Sequence, residues 1–153
     1  MKIKDVMTKK PIAMRPNDTL HDLIKILVKH KISGCPVINK NKEIVGIVTQ
    51  TDIIRMIDVF SDIQKGDDIF LILSSLLKSK NEILSKEIKK IKTKKLKEFM
   101  KKDVITIDVN DDFYKAARLI NKYNIDRLPV TKNKKLVGIL TKKDIMKELE
   151  KIG

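Results

Sequence analysis

Residues 45–53 read VGIVTQTDI, and residues 137–145 read VGILTKKDI. Two more pairs of segments agree in the same order, namely KIKDVM at 2–7 with KLKEFM at 95–100, and Pro36-Val37 with Pro129-Val130. The offset between the copies is 93 residues as far as Pro129 and 92 residues afterwards, so one residue is lost at the 132–135 loop. A unit that repeats usually cannot bury its apolar side alone. Two copies therefore predict a closed pair, with a ligand site shared between the halves.

Length, charge and cysteine content limit the class of protein. The chain has 153 residues, a net charge of +14 and a single cysteine, Cys35. The length suits one compact domain, and no apolar run approaches the roughly 20 residues that span a bilayer. A lone cysteine cannot form an intrachain disulfide, so we expect a reduced, cytoplasmic setting. His21 and His30 are the only histidines and share no metal-binding spacing, so we expect no catalytic residue, no metal site and no required cofactor.

Each repeat carries the same order of structural signals. Short β-like stretches at 11–14 and 104–107 precede N-cap residues and an apolar pattern of helical spacing. A turn at Lys31 or Asn124 follows, then two strands joined by a lysine/asparagine turn. The predicted class is α+β, built from two β-α-β-β-α motifs whose helices cover one face of the strands. The expected boundaries are 1–58 for the first motif, 59–94 for a helical insert and 95–153 for the second motif.

The sequence of the insert predicts a helix with apolar residues at helical spacing and many lysines. Gly66-Asp67-Asp68 interrupts the helix that begins at Asp52, and we expect 67–91 to be mostly helical. Apolar residues recur at helical spacing as far as Ile88 and Ile91. Five of them should face protein, within the subunit or on a second chain: Ile69, Leu73, Leu76, Leu77 and Leu84. Residues 78–102 also hold eleven lysines against three acids. The alternative functions are therefore a nucleic-acid-binding regulator or an oligomeric scaffold that acts through the insert, although scarce aromatic residues weaken a single-strand interpretation.

Thr49 and Asp52 stand three residues apart at the predicted strand-to-helix junction, as do Thr141 and Asp144. Such a pair can do no more than cap the helix. It can also bind a nucleotide, because amides at a helix N-terminus attract phosphate and a carboxylate can accept both hydroxyls of a ribose. The residues alone leave both interpretations open.

These motifs together resemble the cystathionine β-synthase (CBS) domain. The resemblance lies in Met-Thr near the start, the Pro-Val strand and the Gly-Ile-Val-Thr-x-x-Asp-Ile stretch, and it covers both repeats but not the insert. The chain is similar to stand-alone CBS pairs of archaeal type. The resemblance implies two motifs packed by a pseudo-twofold into one module. It also implies two clefts for AMP, ADP, ATP or S-adenosylmethionine, a regulatory role, a homodimer and a protein partner.

The resemblance also implies roles for individual residues. Asp52 and Asp144 would bind ribose, Thr49 and Thr141 would approach phosphate, and the opening segment of each repeat would line the cleft of the other. The remaining candidates for the Asp144 cleft are Thr8, Pro11, Ala13, Ile125, Asp126, Arg127 and Pro129. Those for the Asp52 cleft are Ser33, Gly34, Lys101, Val104 and Thr106, and Ile105 is a further ligand-binding candidate. Arg127 carries a planar fork suited to phosphate. We therefore rank the Asp144 cleft first for a nucleotide, and the Asp52 cleft for a neutral or cationic adenosine derivative, or nothing.

Overall fold

The computed structural model describes the backbone of residues 1–65 and 80–153 and the side chains of residues 1–58 and 85–153. The chain forms two compact units. Unit 1 comprises Met1–Met14, Pro36–Ile47 and Lys101–Gly153, and unit 2 comprises Arg15–Cys35 and Val48–Met100. Each unit therefore combines segments from both repeats. The division into motifs at 1–58, 59–94 and 95–153 stays a prediction.

Unit 1 is built on a four-stranded sheet in the order β1-β6-β5-β4. Its strands are β1 (Thr8–Lys9), β4 (Ile107–Asp108), β5 (Arg127–Lys132) and β6 (Lys135–Thr141). β5 and β6 are antiparallel, β1 pairs antiparallel with the other edge of β6, and β4 runs parallel to β5. The predicted antiparallel pairing around the second lysine/asparagine turn is confirmed.

The β5–β6 hairpin closes through a two-residue turn. Asn133 and Lys134 have φ values of 51° and 66°. Positive φ at both positions belongs to a type I′ turn, whose twist matches that of the flanking strands. From this turn the ladder runs to Arg127 opposite Thr141, with one irregularity near the turn. The matching strands of the first repeat, β2 (Gly34–Ile38) and β3 (Ile44–Thr49), form a two-stranded sheet with a longer connection.

The core of unit 1 gathers on one side of the four-stranded sheet. Leu128, Val130 and Leu140 have no exposed surface. Three helices add to this cluster: α1 (Ile3–Val6), α5 (Phe113–Tyr123) and α6 (Lys142–Lys151). In α5 the buried residues are Phe113, Ala116 and Ile120, which confirms the predicted helical spacing, whereas Ala117 is exposed.

Unit 2 is described as a set of helices: α2 (Leu20–His30), α3 (Gln50–Lys65), α4 (Lys80–Lys92) and a 3₁₀ turn at Leu96–Glu98. Thr19 caps the start of α2. The backbone ties the end of the insert to this cap, since the Leu20 N–H donates to Lys94 O over 2.8 Å and the Leu96 N–H donates to Asp18 O over 2.9 Å. The buried residues of this unit include Leu20, Leu23, Leu27, Ile91 and Leu96.

Two predicted strand stretches are shorter than expected. The stretch 11–14 makes a single bridge, between Met14 and Val37, and only Ile107 of the stretch 104–107 lies in a strand. Pro11 has no N–H to donate to a ladder. The Val104 N–H is used in a local turn, where it donates to Lys102 O over 3.1 Å. In both stretches a local feature thus removes a backbone N–H that a longer strand would need for its ladder.

The helix starts also differ from the prediction. α3 begins at Gln50 and α6 at Lys142, two residues before the predicted starts at Asp52 and Asp144. In α6, Thr141 is the N-cap, so the aspartate is the third residue of the helix. The predicted turns at Lys31 and Asn124 are confirmed, since both adopt the left-handed conformation that ends a helix.

The described part of the insert is helical. α4 covers Lys80–Lys92, Ile91 is 4% exposed and Ile88 is half-buried. This confirms the predicted helix from residue 80 onward. The break at Gly66-Asp67-Asp68 and the expected burial of Ile69, Leu73, Leu76, Leu77 and Leu84 fall on residues, or on side chains, outside the described part. No helix in the described ranges is long and apolar enough to cross a bilayer.

β1 pairs with β6 at Gly138, which stands opposite Lys9. A Cβ at Gly138 would overlap Met7 Sδ and would lie 3.0 Å from Thr8 O. The methionine side chain can move, but the strand backbone can move only by weakening the pairing. We expect Gly138→Ala to lower the free energy of unfolding by about 1–3 kcal/mol, the usual cost of overpacking. Urea unfolding followed by circular dichroism measures this loss.

The chain offers a control for this substitution. A Cβ at Gly153 would meet only Glu150 O, at 3.9 Å, so Gly153→Ala should leave stability nearly unchanged. Adding Met7→Ala to Gly138→Ala should recover part of the loss, because the overlap with Sδ disappears. A Gly138→Ala protein as stable as the wild type would contradict the close approach of the two strands.

Candidate functional site

The junction between β6 and α6 holds the Thr141–Asp144 pair. The N–H and the hydroxyl of Thr141 both donate to Asp144 Oδ2, over 2.8 and 2.9 Å, and the Asp144 N–H donates to Thr141 Oγ1 over 3.3 Å. These bonds form a capping box. Asp144 is half-buried, and its Oδ1 accepts no hydrogen bond from a described residue. One carboxylate oxygen therefore remains able to accept from a ligand.

The register of the sheet places other candidates on the same side as Thr141. Arg127 stands opposite Thr141 in the β5–β6 ladder. Pro129 and Thr8 stand opposite Ile139, one on each neighbouring strand. Residues directly opposite each other, and residues two apart along a strand, point to the same face of a sheet. The candidates from β1, β5 and β6 therefore share the face that lies away from the core cluster.

Arg127 is buried, with 7% of its surface exposed. Among the described residues, no fully buried side-chain nitrogen or oxygen lacks a hydrogen-bond partner, and Arg127 already interacts with another group of the protein. A buried guanidinium has few rotamers left to lose when it meets an anion. Burial also strengthens its electrostatic effect, because the surrounding dielectric is lower than that of water.

Asp126, the residue before this arginine, is paired with the first residue of α6. Lys142 Nζ lies 3.1 Å from Asp126 Oδ1, and the Lys142 N–H donates to Asp126 O over 3.2 Å. Both side chains are more than half exposed, so the ion pair itself stabilises the fold by only about 0–1 kcal/mol. Its main effect is to hold the start of α6 against the strand that carries Arg127.

The opening segment of the chain reaches the same sheet through β1. Thr8 is exposed, whereas Pro11 and Ala13 are half-buried. Lys10 adopts a left-handed conformation with φ of 54°, which turns the chain after the strand. All of these residues belong to unit 1, as does the Thr141–Asp144 pair. The structure therefore brings the opening segment of the first repeat and the capping box of the second repeat into one unit.

Ile105 and Ile125 are placed differently from the other candidates. Both are half-buried and pack against the core cluster of unit 1. The Ile125 N–H donates to Ile120 O over 3.2 Å, directly after the left-handed Asn124. Packing against the core is a sufficient reason for isoleucine at both positions, so no contact with a ligand is needed to explain them.

The first repeat contains a capping box of nearly the same geometry. The N–H and hydroxyl of Thr49 donate to Asp52 Oδ2 over 2.9 and 3.0 Å, and the Asp52 N–H donates to Thr49 Oγ1 over 3.4 Å. Nearby in sequence, Ser33 O accepts the Gln50 N–H over 2.8 Å, and Gly34 is buried. These residues form the start of α3 and lie in unit 2.

The other candidates of the Asp52 cleft lie in unit 1. Lys101 exchanges two backbone hydrogen bonds with Ile47, over 2.9 and 3.1 Å. Lys101 and Thr106 are exposed, and Val104 is half-buried. The Asp144 candidates thus fall within one unit, whereas the Asp52 candidates are divided between the two.

A further capping box occurs where the sequence predicts no ligand. At the start of α2, the N–H and hydroxyl of Thr19 donate to Asp22 Oδ2 over 3.0 and 2.9 Å. The backbone N–H of Thr19, and then its hydroxyl, hold the pKa of Asp22 below its ordinary value. Capping explains this geometry without a ligand. A functional argument must therefore rest on what surrounds a box and not on its hydrogen bonds.

Two cations near the Asp144 candidates were missed by the sequence interpretation. Lys142 holds Asp126, and Lys10 follows β1 in unit 1. A difference between the repeats marks the first of them, since Lys142-Lys143 stands where the first repeat has Gln50-Thr51. No comparable sequence signal marks Lys10, because its conformation follows from the path of the chain.

The two histidines of the chain lie on one helix. His21 and His30 are both exposed on α2. Over the described ranges, no group of three or more His, Cys, Asp or Glu residues is arranged to hold a metal ion.

Comparisons with known proteins bear on the repeated motif. The family model for the CBS domain matches residues 3–59 and 96–151. An uncharacterised protein of Methanocaldococcus jannaschii, MJ1426, is 35% identical over 159 residues, which cover 97% of this chain and 91% of that protein. Both findings span the two repeats.

Two solved structures are similar over nearly the whole chain. CBSX2 in complex with AMP has a TM-score of 0.73 and 26% identity, covering 99% of this chain and 97% of that one. The CBS domain pair of MJ0100, in complex with 5′-methylthioadenosine and S-adenosyl-L-methionine, has a TM-score of 0.70 and 25% identity, with coverage of 100% and 98%. The predicted α+β class is confirmed by both.

Proposed function

This chain belongs to the CBS domain family, and on that premise we propose that it is a regulatory module that binds an adenosine-containing ligand. The ligand is AMP, ADP, ATP or S-adenosylmethionine, and its binding is signalled to a protein partner in the cytoplasm. The module is not an enzyme and requires no cofactor. The observation that supports the proposal best is the grouping of Arg127, the opening segment and the Thr141–Asp144 box in unit 1.

The roles of the side chains follow from their chemistry. Asp144 Oδ1 would accept the hydroxyls of a ribose while Oδ2 continues to cap α6. Thr141 and the first amides of the helix would approach phosphate, since a helix N-terminus attracts anions. Arg127 would add a fixed positive charge on the same side of the sheet. The helix cap and the ligand contact thus use different atoms of one carboxylate.

The ligands of similar proteins support the adenosine class. The CBSX2 structure holds AMP, and the MJ0100 structure holds 5′-methylthioadenosine and S-adenosyl-L-methionine. These molecules share adenosine and differ in charge beyond the ribose. In this chain Asp144 would therefore bind the ribose that these ligands share, and Arg127 would favour ligands that carry phosphate.

The two capping boxes should differ in preference. Asp126-Arg127 precedes the Pro-Val strand of the second repeat, and Ser33-Gly34 precedes that of the first. We propose that the Asp144 box serves a nucleotide. The Asp52 box, which has no arginine at the matching position, would serve a neutral or cationic adenosine derivative, or no ligand.

Asp144→Ala should weaken AMP binding about tenfold to hundredfold, because losing a charged acceptor costs about 1.5–3 kcal/mol. Titration calorimetry of the full chain with AMP measures the change. Asp22→Ala is the matched control, since it removes the same capping contacts from an exposed box. Both variants should lose similar stability in thermal melts, and only Asp144→Ala should lose affinity. Equal affinities for the two variants would contradict the site.

Arg127→Ala should weaken AMP and ATP far more than adenosine. The reason is that the guanidinium would contact phosphate, which adenosine lacks. The ratio of the AMP and adenosine affinities is the measurement, because a general loss of folded protein affects both ligands alike. Arg118→Ala, on the exposed side of α5, should leave the ratio unchanged. Equal losses for AMP, ATP and adenosine would assign Arg127 a structural role only.

We also propose that the protein is a homodimer that uses matching helix positions in the two repeats. Ile54 and Met146 occupy equivalent positions and are 64% and 60% exposed. Ile57 and Leu149, one turn further on, are 42% and 48% exposed. Exposed apolar residues on α6, repeated at the equivalent positions of α3, are typical of a helix side that a second chain covers.

Met146→Lys combined with Leu149→Lys should convert the dimer to a monomer of 17.6 kDa. Lysines on a covered apolar surface would be buried without partners, which is costly. Light scattering at micromolar concentration gives the mass. Tyr114→Lys alters another exposed residue, 76% exposed on α5, and should leave the mass unchanged. A dimer that survives the double substitution would refute the role of α6.

A further inference from the structure

The segment that follows the undescribed part of the insert carries a dense group of lysines. Residues 85–98 contain seven lysines and two glutamates. We call these lysines the basic face; they are Lys86, Lys89, Lys90, Lys92, Lys94, Lys95 and Lys97. All are exposed except Lys92, which is half-buried. None of them belongs to the ligand site proposed above.

The basic face has a fixed direction. Ile91 is 4% exposed, so this side of α4 is turned into the protein. Lys89 and Lys90 follow Lys86 by three and four residues, so both are its neighbours on the helix surface. All three are exposed, on the side away from Ile91. The helix presents these charges to solvent as a row.

The lysines beyond the helix are also held by the fold. The Leu20 N–H donates to Lys94 O over 2.8 Å, and the Leu96 N–H donates to Asp18 O over 2.9 Å. Leu96 has no exposed surface. The backbone that carries the basic face is thus anchored in unit 2, an anchor that a disordered lysine tail would lack.

The acids of the segment do little to neutralise it. Glu87 pairs with Lys90 at 3.5 Å, and Glu98 Oε2 accepts the Lys95 backbone N–H over 2.9 Å. Within the described ranges, Lys90 is the only lysine of the face with an ion-pair partner. Lysines in the last turn of α4 would stabilise the helix dipole. That effect does not account for Lys86, or for the lysines after the helix.

The chemistry of the face narrows the choice of partner. A membrane surface would need apolar side chains among the lysines, and the described apolar residues of α4 are turned inward. Single-stranded nucleic acid would need aromatic residues for stacking, and the basic face contains none. It also contains no arginine for bidentate contacts with bases. Lysines on an anchored backbone suit the regularly spaced phosphates of a nucleic-acid duplex.

We propose that the basic face binds the phosphate backbone of duplex nucleic acid without regard to sequence. Each neutralised phosphate releases counterions, so the logarithm of the binding constant should fall with log salt by about 0.9 per contact. A face that makes about four to six contacts would give a slope of about −3.5 to −5.5. This activity does not depend on the adenosine site.

The test is fluorescence anisotropy of the full chain with a labelled 24-base-pair DNA duplex of arbitrary sequence, at several salt concentrations. Lys86→Gln, Lys89→Gln and Lys90→Gln are combined, because glutamine preserves the helix and removes the charge. We expect at least tenfold weaker binding and a slope smaller by about 2.7, which corresponds to three lost contacts. The triple arginine variant at the same positions should retain binding.

A second triple variant controls for net charge. Lys122→Gln, Lys132→Gln and Lys147→Gln remove three exposed lysines of unit 1 and change the net charge equally. This variant should bind the duplex within about threefold of the wild type, because the steep salt term comes from direct phosphate contacts. Circular dichroism and the AMP titration should be unchanged in both glutamine variants, which separates a failure here from a failure of the proposed function.

Several outcomes would overturn the proposal. They are no duplex binding by the wild type, a slope near zero, or equal weakening by the two glutamine variants. Tighter binding to a single strand than to the duplex would contradict the stacking argument. Displacement of the duplex by poly-glutamate at equal charge concentration would assign the face to an acidic protein, and preferential binding to vesicles with anionic lipid would assign it to a membrane surface.

Discussion

The antiparallel ladder between β5 and β6 is the interaction on which the site of unit 1 depends. Its register sets Arg127 opposite Thr141 on one face and sends Leu128 and Leu140 into the core on the other. A slip of one residue would exchange the two faces, moving the leucines off the core side and the site residues onto it. The type I′ turn at one end and the capping box at the other hold the register. The register that packs the core of this sheet therefore also places the site residues together.

The capping boxes show how one local structure can serve two purposes. Boxes of nearly equal geometry occur at Thr19–Asp22, Thr49–Asp52 and Thr141–Asp144. Each satisfies amides that a helix start would otherwise leave without partners. The box at Asp144 differs through its neighbours, since Arg127 and β1 share its sheet. The capping box at Asp144 is thus needed by the helix whether or not a ligand binds, and the proposed ligand binding uses the same residues.

The two kinds of anion chemistry proposed for this chain use cations in different settings. Arg127 is buried, so salt should screen its charge weakly. The lysines of the basic face are in solvent, where salt at physiological concentration largely screens interactions over more than about 8–10 Å. A nucleotide and a duplex would therefore respond differently to ionic strength. That difference allows the two activities to be measured separately on one protein.

Local spacing and capping chemistry were enough to predict the repeated pattern, the α+β class, the turns at Lys31 and Asn124 and the candidate pair Thr141–Asp144. The prediction of strands at 11–14 and 104–107 was too long, because Pro11 has no N–H for a ladder and the Val104 N–H is used in a local turn. Only the tertiary structure decided that Arg127 is buried and that Lys142 holds Asp126. The tertiary structure also placed β1 beside Gly138, whereas the family resemblance had already grouped the opening segment with Asp144. Burial and partners are set by residues far apart in the chain, and no local pattern of side chains records them.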